Sequence, residues 1–456
     1  MQILPIKPFP ANFRRASITP PGSKSITNRA LVLAALRSGT TRLSGVLFSE
    51  DTRTMIECLR ALGFSVEADE VAKTVSVLGC GGKIPCENAS LRVANAGTAA
   101  RFLTAMLALK DGGKFFLDGC EAMRKRPMRG LISALEQLGC EFEFAGEPGH
   151  FPFTMKTRGL AGAREIAVDA SASSQILSAL LQIAPCAGQL FTVHLRGETV
   201  SKPFVEMTTR MIAQFGGGVE TRGNTFTCGG GYGSGTFDYA IEPDATAASY
   251  FLILPFVHRA SEILVRGLDP VAGLQGDAAF APILATPPRD LLSVSERAGA
   301  LAVSAGACTR GFETDFNAIS DTFLTLAAVA PLLDSQTPLV IRGIAHTRKQ
   351  ETDRVSAMAA ELAKIVGAEN VSQTEDSLTI RPCGLENVRA RADATPAGTI
   401  RISTYKDHRV AMSFGILGTF DLRGDGSPWI EIEDPQCCAK TFPEFFDVLA
   451  QISREK

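Results

Sequence analysis

The chain has 456 residues, enough for two or more domains with full cores. Charged residues make up 21% and the formal net charge is −2, which excludes a general nucleic-acid or anionic-membrane surface. No apolar run approaches a membrane span, and the start, MQILPIKPFPANFRR, lacks the architecture of a signal or transit peptide.

The first element to stand out is 20–36, PPGSKSITNRALVLAAL. Two prolines and a glycine stop what precedes, and Ser23, Lys24 and Ser25 open a helix of small and apolar residues. A helix start exposes unpaired N–H groups and the positive end of the dipole. With Lys24, two hydroxyls and Arg29 one turn on, it is a seat for phosphate or carboxylate. It is not a P-loop, because GxxxxGK[ST] is absent. Taken alone, a capped surface helix with a snorkelling lysine explains it equally well.

The pattern recurs along the chain. Helix-like segments begin SITNRALVLAAL at Ser25, TAARFLTAMLAL at Thr98, SSQILSALLQIA at Ser173, TAASYFLILPFV at Thr246, DTFLTLAAVAPLL at Asp321 and HRVAMSFGILG at His408. Their starts lie 73, 75, 73, 75 and 87 residues apart. Each is nearly apolar all round, as a buried helix is. A second, amphipathic series runs in phase: DTRTMIECLRALG, PMRGLISALEQLG and PFVEMTTRMIAQFG end at Gly63, Gly139 and Gly216. TDRVSAMAAELAKIVG ends at Gly367, and PEFFDVLAQI closes the series. These are expected to be outer helices, mostly with glycine C-caps. The alternating segments FSVEAD, CEFEFAG and GGVETRG that follow read as strands. The fourth copy, near 276–284, is the least regular.

A period of about 75 residues is a whole βαβαββ unit, too long for a solenoid repeat. Six such units fill the chain, and three make a domain of ordinary size. The fold class expected is therefore α/β, with two similar domains of three βαβαββ units and buried inner helices. Residues 1–21 supply the first strand (16–19) of the domain that contains 242–456, and 22–241 form the other. The chain then crosses near 20–22 and 241–244, and the site is expected between the domains.

Charged and hydroxylic residues gather at the helix starts: Lys24, Ser25 and Arg29; 95–98; Ser173, Ser174 and Gln175; Asp321; and 406–409. The outer helices add Arg126, Ser201 and Lys202, 351–354, and Lys440. For each residue alone, capping or a solvated ion pair suffices. Their shared phase does not follow from capping, and it points to an anionic ligand held by many cations and few carboxylates. The eleven cysteines, an odd number with no CxxC, fit reduced thiols in a cytoplasm. The five histidines have no metal-ligand spacing, so no metal is expected.

The chain resembles the 5-enolpyruvylshikimate-3-phosphate synthase family. The matching stretches are PGSKSITNRAL (21–31), NAGTAARFL (95–103), RPM (126–128), SASSQ (171–175), SKPF (201–204), DATAASYF (244–251), SDTFLTLA (320–327), QETDR (350–354), KDHRVAMSF (406–414) and AKTFPEFF (439–446). The resemblance implies the enolpyruvyl transferase fold, an inside-out α/β barrel. It implies transfer of the enolpyruvyl group of phosphoenolpyruvate to the 5-hydroxyl of shikimate 3-phosphate, in the pathway to the aromatic amino acids. No cofactor, nucleic-acid or membrane partner is implied, and the expected state is a cytoplasmic monomer.

Such a reaction needs a base for the hydroxyl, an acid for the methylene carbon, and cations for a carboxylate and two phosphates. By position, Asp321 resembles the base or orienter of the 5-hydroxyl, Glu351 the proton carrier, and Lys24 the group acting on the bridging oxygen or leaving phosphate. His408 resembles a supporting member of the catalytic set. Lys24, Gly97, Thr98, Arg126, Gln175, Arg354, Arg409 and Lys440 match the family's phosphoenolpyruvate contacts. Lys24, Ser25, Arg29, Ser173, Ser174, Gln175, Ser201, Asp321 and Gln350 match its shikimate 3-phosphate contacts. The resemblance also implies inhibition by glyphosate, a phosphonate anion that competes for the donor site.

Two positions depart from the family pattern. Phe102 stands where many glyphosate-sensitive members carry Pro, and Gln350 where many carry Lys. Either the substrate is held with one cation fewer, or Arg348, Lys349 or His346 reaches in to replace that lysine. Two other functions stay open at this point. UDP-N-acetylglucosamine enolpyruvyl transferases share fold and donor, but typically have Asn after the lysine, where Ser25 stands, and a reactive loop cysteine. A non-catalytic binder of a phosphorylated metabolite is the other; the carboxylates Asp321 and Glu351 argue against it.

Overall fold

The apolar segments form helices packed on every side. In a computed structural model describing residues 2–454 apart from 161, 163, 335 and 336, the chain divides into two compact units. One comprises residues 22–242, the other residues up to 21 together with those from 243 onward.

In the 22–242 unit the inner helices are Lys24–Leu36, Gly97–Leu107 and Ser174–Ile183. Eleven consecutive residues of the first, from Ile26 to Leu36, are buried. Such burial removes each leucine or valine from water at a gain of about 1.5–3 kcal/mol, which explains the absence of a polar face. The outer helices Glu50–Ala61, Arg129–Glu136 and Lys202–Gln214 are followed by glycines 63, 139 and 216 with φ of +88°, +83° and +94°. Only the left-handed backbone lets the chain turn there into the next strand, and glycine adopts it without steric cost.

Those next strands are Ser65–Asp69, Glu141–Phe144 and Gly218–Arg222. Each belongs to a four-stranded sheet of one design. In the second, Asn88–Arg92 runs parallel to Asp111–Asp118, which pairs antiparallel with Phe153–Arg158, which pairs antiparallel with Glu141–Phe144. The strand Phe237–Ala240 closes the first sheet, parallel to Ser38–Ser44. In the second and third sheets the crossover between the parallel strands is the inner helix, which places its N-terminus after the end of the first strand.

The other unit repeats the plan with more irregularity. Its inner helices are Ala245–Leu252 continued by Leu254–Val257, Phe323–Val329, and His408–Gly418. Arg15–Ile18 pairs parallel with Glu262–Arg266, so the strand expected at 16–19 joins this unit. The irregular fourth copy is a 3-10 turn, Gly276–Ala279, running into the short helix Phe280–Ala285. Three features are absent from the sequence reading. Ile3–Pro5 pairs antiparallel with Ile430–Glu433, Leu385–Asp393 is an additional helix, and Asp321 lies in a 3-10 stretch, Asn317–Thr322, and not at an α-helix start. Among the described residues the six sheets are separate and none closes into a barrel. No helix is long and apolar enough to cross a membrane, among the described residues.

Candidate active site

In the 22–242 unit, first turns of inner helices meet first turns. Asn28 Nδ2 donates to Thr98 Oγ1 at 2.7 Å, and Arg101 Nη1 donates to Gln175 Oε1 at 3.4 Å and to Gly97 O at 3.1 Å. The three helices therefore run parallel, and their positive ends gather together. Ser23 and Ser173 cap two of them, accepting from the amides of Ile26 and Gln175. Ser174 begins the third helix and is buried; Ser201, with φ of +51°, stands before the Lys202–Gln214 helix.

Four cations belong to this cluster. Lys24 Nζ lies 3.1 Å from the buried carboxylate of Asp51. Arg29 is 1% exposed; its Nε donates to Thr208 Oγ1 at 2.8 Å and its Nη1 to Ser25 O at 3.0 Å, with the guanidinium 5.2 Å from the Phe102 ring centroid. Burial lowers Arg29 to about 9, still cationic at neutral pH. Arg101 is held by Gly97, Gln175 and Pro127 O. Arg126 has a buried Nε without a hydrogen-bond partner among the described residues. A Cβ built on Gly97 would fall 2.8–3.0 Å from the Arg126 guanidinium, so that group sits directly against the backbone of a helix start. Asp51 pairs with Lys24, and the gathering of cations at the helix starts favours a bound anion.

The second cluster lies in the other unit and centres on Arg354, which is 1% exposed. Its Nε binds Asp407 at 2.7 Å, its Nη1 Asp321 at 3.0 Å and its Nη2 Glu351 at 2.8 Å. Arg409 Nη2 binds the other oxygen of Asp321 at 2.7 Å, and Lys440 Nζ lies 3.2 Å from the other oxygen of Glu351. Asp407 caps the His408–Gly418 helix, accepting from Arg409 N at 2.9 Å. Burial pulls both arginines down, but the surrounding carboxylates prevail and raise them: Asp407, Glu351 and Asp321 for Arg354, and chiefly Asp321 for Arg409.

The expectation of many cations and few carboxylates fails for this cluster. Arg354, Arg409 and Lys440 face Asp321, Glu351, Asp407 and the buried Asp277. Asp277 contacts the Thr246 hydroxyl, and burial, then the charge of Asp321, hold its carboxyl up at about 7. The His408 ring is buried, its Nδ1 3.7 Å from Asp407 Oδ1. Gln350 Oε1 accepts from Arg354 Nη1. Of the residues that could stand in for a lysine there, Arg348 is committed elsewhere, with Nη1 2.8 Å from Asp353 and Nη2 2.9 Å from Gln373. His346 Nε2 lies 2.7 Å from Ser320 Oγ, and burial lowers its proton affinity against the pull of Asp321.

Asp51, Arg101 and Asp277 belong to the clusters but were not singled out from the sequence; Asp407 was, as one of the charged residues at the start of the sixth inner helix. Arg101 carried one signal, a charge inside an apolar helix four residues after Gly97. Asp277 follows Gln275 and Gly276 in the least regular repeat, where no pattern marks it.

Residues 12–449 match the sequence profile of EPSP synthase (3-phosphoshikimate 1-carboxyvinyltransferase). The chain is 47% identical over 456 residues to a 3-phosphoshikimate 1-carboxyvinyltransferase of Opitutus terrae, covering 99% of this chain and 98% of that one. It is 37% identical over 432 residues to the enzyme of that name from Trichormus variabilis, covering 94% and 95%. An EPSP synthase structure from Acinetobacter baumannii superposes with a TM-score of 0.76 at 25% identity, covering 99% and 98%. The enolpyruvyl transferase NikO from Streptomyces tendae shares the fold, with a TM-score of 0.70 at 14% identity and coverage of 99% and 97%.

Proposed function

The chain belongs to the EPSP synthase family, and we propose that the two clusters divide the work of its reaction. The reaction is transfer of the enolpyruvyl group of phosphoenolpyruvate to the 5-hydroxyl of shikimate 3-phosphate, with release of phosphate, on the route to aromatic amino acids. The observation that supports the division is Glu351, whose two oxygens are held by two different cations, Arg354 at 2.8 Å and Lys440 at 3.2 Å.

In this reading Arg354, Arg409 and Lys440 of one unit and Arg126, Gly97, Thr98 and Gln175 of the other are assigned to phosphoenolpyruvate, the cations to its carboxylate and phosphate. Ser25, Arg29, Ser173, Ser174, Ser201 and Gln350 receive shikimate 3-phosphate. As the donor's anionic groups engage Arg354, Arg409 and Lys440, they replace Asp321 and Glu351 as partners of those cations. The same event that binds the donor thereby frees the two carboxylates for proton transfer.

Asp321 then accepts the proton of the 5-hydroxyl as its oxygen bonds to the donor's C2. Glu351, which takes up a proton from solvent once its two cations are engaged by the donor, delivers that proton to the methylene carbon, giving a tetrahedral intermediate that bears methyl, carboxylate, phosphate and the new ether. Glu351 takes a methyl proton back, the double bond reforms, and the C–O bond to phosphate breaks with Lys24 at the leaving oxygen. His408 supports Asp407, and through it Arg354. We place the enzyme in the cytoplasm as a monomer, a setting consistent with its eleven free cysteines. Phosphate release tests the reading: both substrates together should give it, and either alone should not. Release from phosphoenolpyruvate alone, or none with both, would refute it.

A further inference from the structure

The segment 403–409 reaches Asp407 through a turn that its side chains do not favour. Asp407 N donates to Thr404 O at 2.8 Å, and the two residues between, Tyr405 and Lys406, have φ of +55° and +59°. Two left-handed residues inside a four-residue turn are the pattern of a type I′ turn, which glycine, asparagine and aspartate usually fill. Tyrosine and lysine carry Cβ atoms that disfavour that region, so the turn stays closed only when its surroundings hold it.

The hold comes from the Arg354–Val366 helix. Glu361 is fully buried; its Oε1 accepts from the Tyr405 hydroxyl at 2.7 Å, and its Oε2 from the backbone N–H of Ser403 at 3.0 Å and from Lys364 Nζ at 2.5 Å. Arg354 precedes Glu361 by seven residues, two helical turns, and so shares its face. The helix therefore grips the segment on both sides of the turn, Glu361 at Ser403 and Tyr405, and Arg354 at Asp407. Tyr405 is 43% exposed, so its hydroxyl serves this contact more than core packing.

We propose that Glu361 and Tyr405 are positioning residues for the reaction: their hydrogen bond keeps the Tyr405–Lys406 turn closed, and the closed turn orients Asp407, and through it Arg354 and Arg409, for the donor anion. This rests on Arg354 and Arg409 being the donor clamp, as read above. Neither residue touches substrate. An open turn leaves every clamp residue present but mispointed, and the loss falls on donor binding.

Steady-state kinetics with each substrate varied, alongside thermal melting, tests this. Tyr405→Phe should raise the KM for phosphoenolpyruvate by roughly tenfold or more, as loss of one hydrogen bond to a charged group would. The KM for shikimate 3-phosphate should stay within about twofold and the melting temperature within a few degrees. Adding Lys406→Gly should return the donor KM toward the native value, because glycine takes a positive φ without the hold. A Tyr405→Phe enzyme with native donor KM would overturn the proposal, and so would a rise that Lys406→Gly does not reverse. Arg409→Lys separates the two levels. If it weakens donor binding while Tyr405→Phe does not, the positioning role fails alone; if Arg409→Lys is silent, the clamp assignment fails and takes the positioning role with it.

Discussion

Replacing Gly97 by alanine should separate donor binding from folding. The added Cβ would lie 2.8 and 2.9 Å from the two terminal nitrogens of Arg126 and 3.0 Å from its Cζ. Ordinary contact needs about 3.5 Å, so the guanidinium must retreat by roughly 0.5–1 Å. It can retreat, because it is the end of a flexible side chain, and the backbone can stay. Gly97 begins the Gly97–Leu107 helix with an ordinary φ, and alanine is the better helix former by up to about 1 kcal/mol. Stability should therefore hold or rise slightly. A charge-assisted hydrogen bond contributes about 1.5–3 kcal/mol, so losing its alignment should raise the KM for phosphoenolpyruvate roughly ten- to a hundredfold. Inhibition by glyphosate, expected at the donor site, should weaken in parallel, while the KM for shikimate 3-phosphate changes little. The assay is phosphate release at varied donor and inhibitor, with a melting curve of the same preparation. Unchanged donor KM and inhibition would refute the placement of Arg126 at the donor. A rise in KM accompanied by a fall of many degrees in melting temperature would refute the claim that the crowding is local.

Glu351→Ala should lower turnover by about 10² or more in steady-state assays, as removal of a positioned acid–base group does; turnover within tenfold of native would exclude it as the proton carrier. Gln350→Lys replaces an acceptor for Arg354 by a second cation beside it, and should change the KM for shikimate 3-phosphate with turnover within a few-fold. If it instead turned an inactive protein into an active one, the native chain would be a binder that had lost its reaction. Asp277, held up at about 7 in the fold by burial first and Asp321 second, has an unfolded value of about 3.9. Between those values the folded chain holds a proton that the unfolded chain has released, so Asp277 contributes stability below pH ~4 that is lost as pH rises to ~7. Asp277→Asn should remove that slope, so its melting temperature relative to native should be higher at pH 8 than at pH 5; an equal difference at both would refute the raised value.

The inner helices were legible because burial on all sides removes every polar face, and most of the outer ones because they carry a polar stripe and stop at a glycine of positive φ. Local signals end there. Ile3–Pro5 pairs with Ile430–Glu433 at the far end of the chain, and three residues reading ILP give no sign of a partner so distant. Asp321 looks like an N-cap before an apolar run, yet Ile319, with φ of −128°, breaks the helical path and leaves Asp321 in a 3-10 turn. The kink puts its two oxygens on two different arginines, Arg354 and Arg409.

Sequence position can identify charged groups of a site but not their pairing, and the pairing decides what each can do. Arg348 and Gln350 are two residues apart, and from sequence either could face the acceptor. In the fold Arg348 is spent on Asp353, Gln373 and the backbone of Thr374 and Glu375, while Gln350 turns to Arg354. Charge balance follows the same logic. Counting cations at helix starts overstated the positive field of the Arg354 cluster, because its carboxylates come from four separate stretches: Asp277, Asp321, Glu351 and Asp407. Each looks unremarkable in its own stretch, as a turn residue, a cap or an i, i+3 partner. Brought onto Arg354, Arg409 and Lys440, they form a nearly neutral resting cluster. A buried, unpaired set of three cations would be costly to fold, whereas a paired set is not, and binding an anion then becomes an exchange of partners. On the proposed reading the four carboxylates balance the buried cations, and two of them, Asp321 and Glu351, move the protons once the donor displaces them.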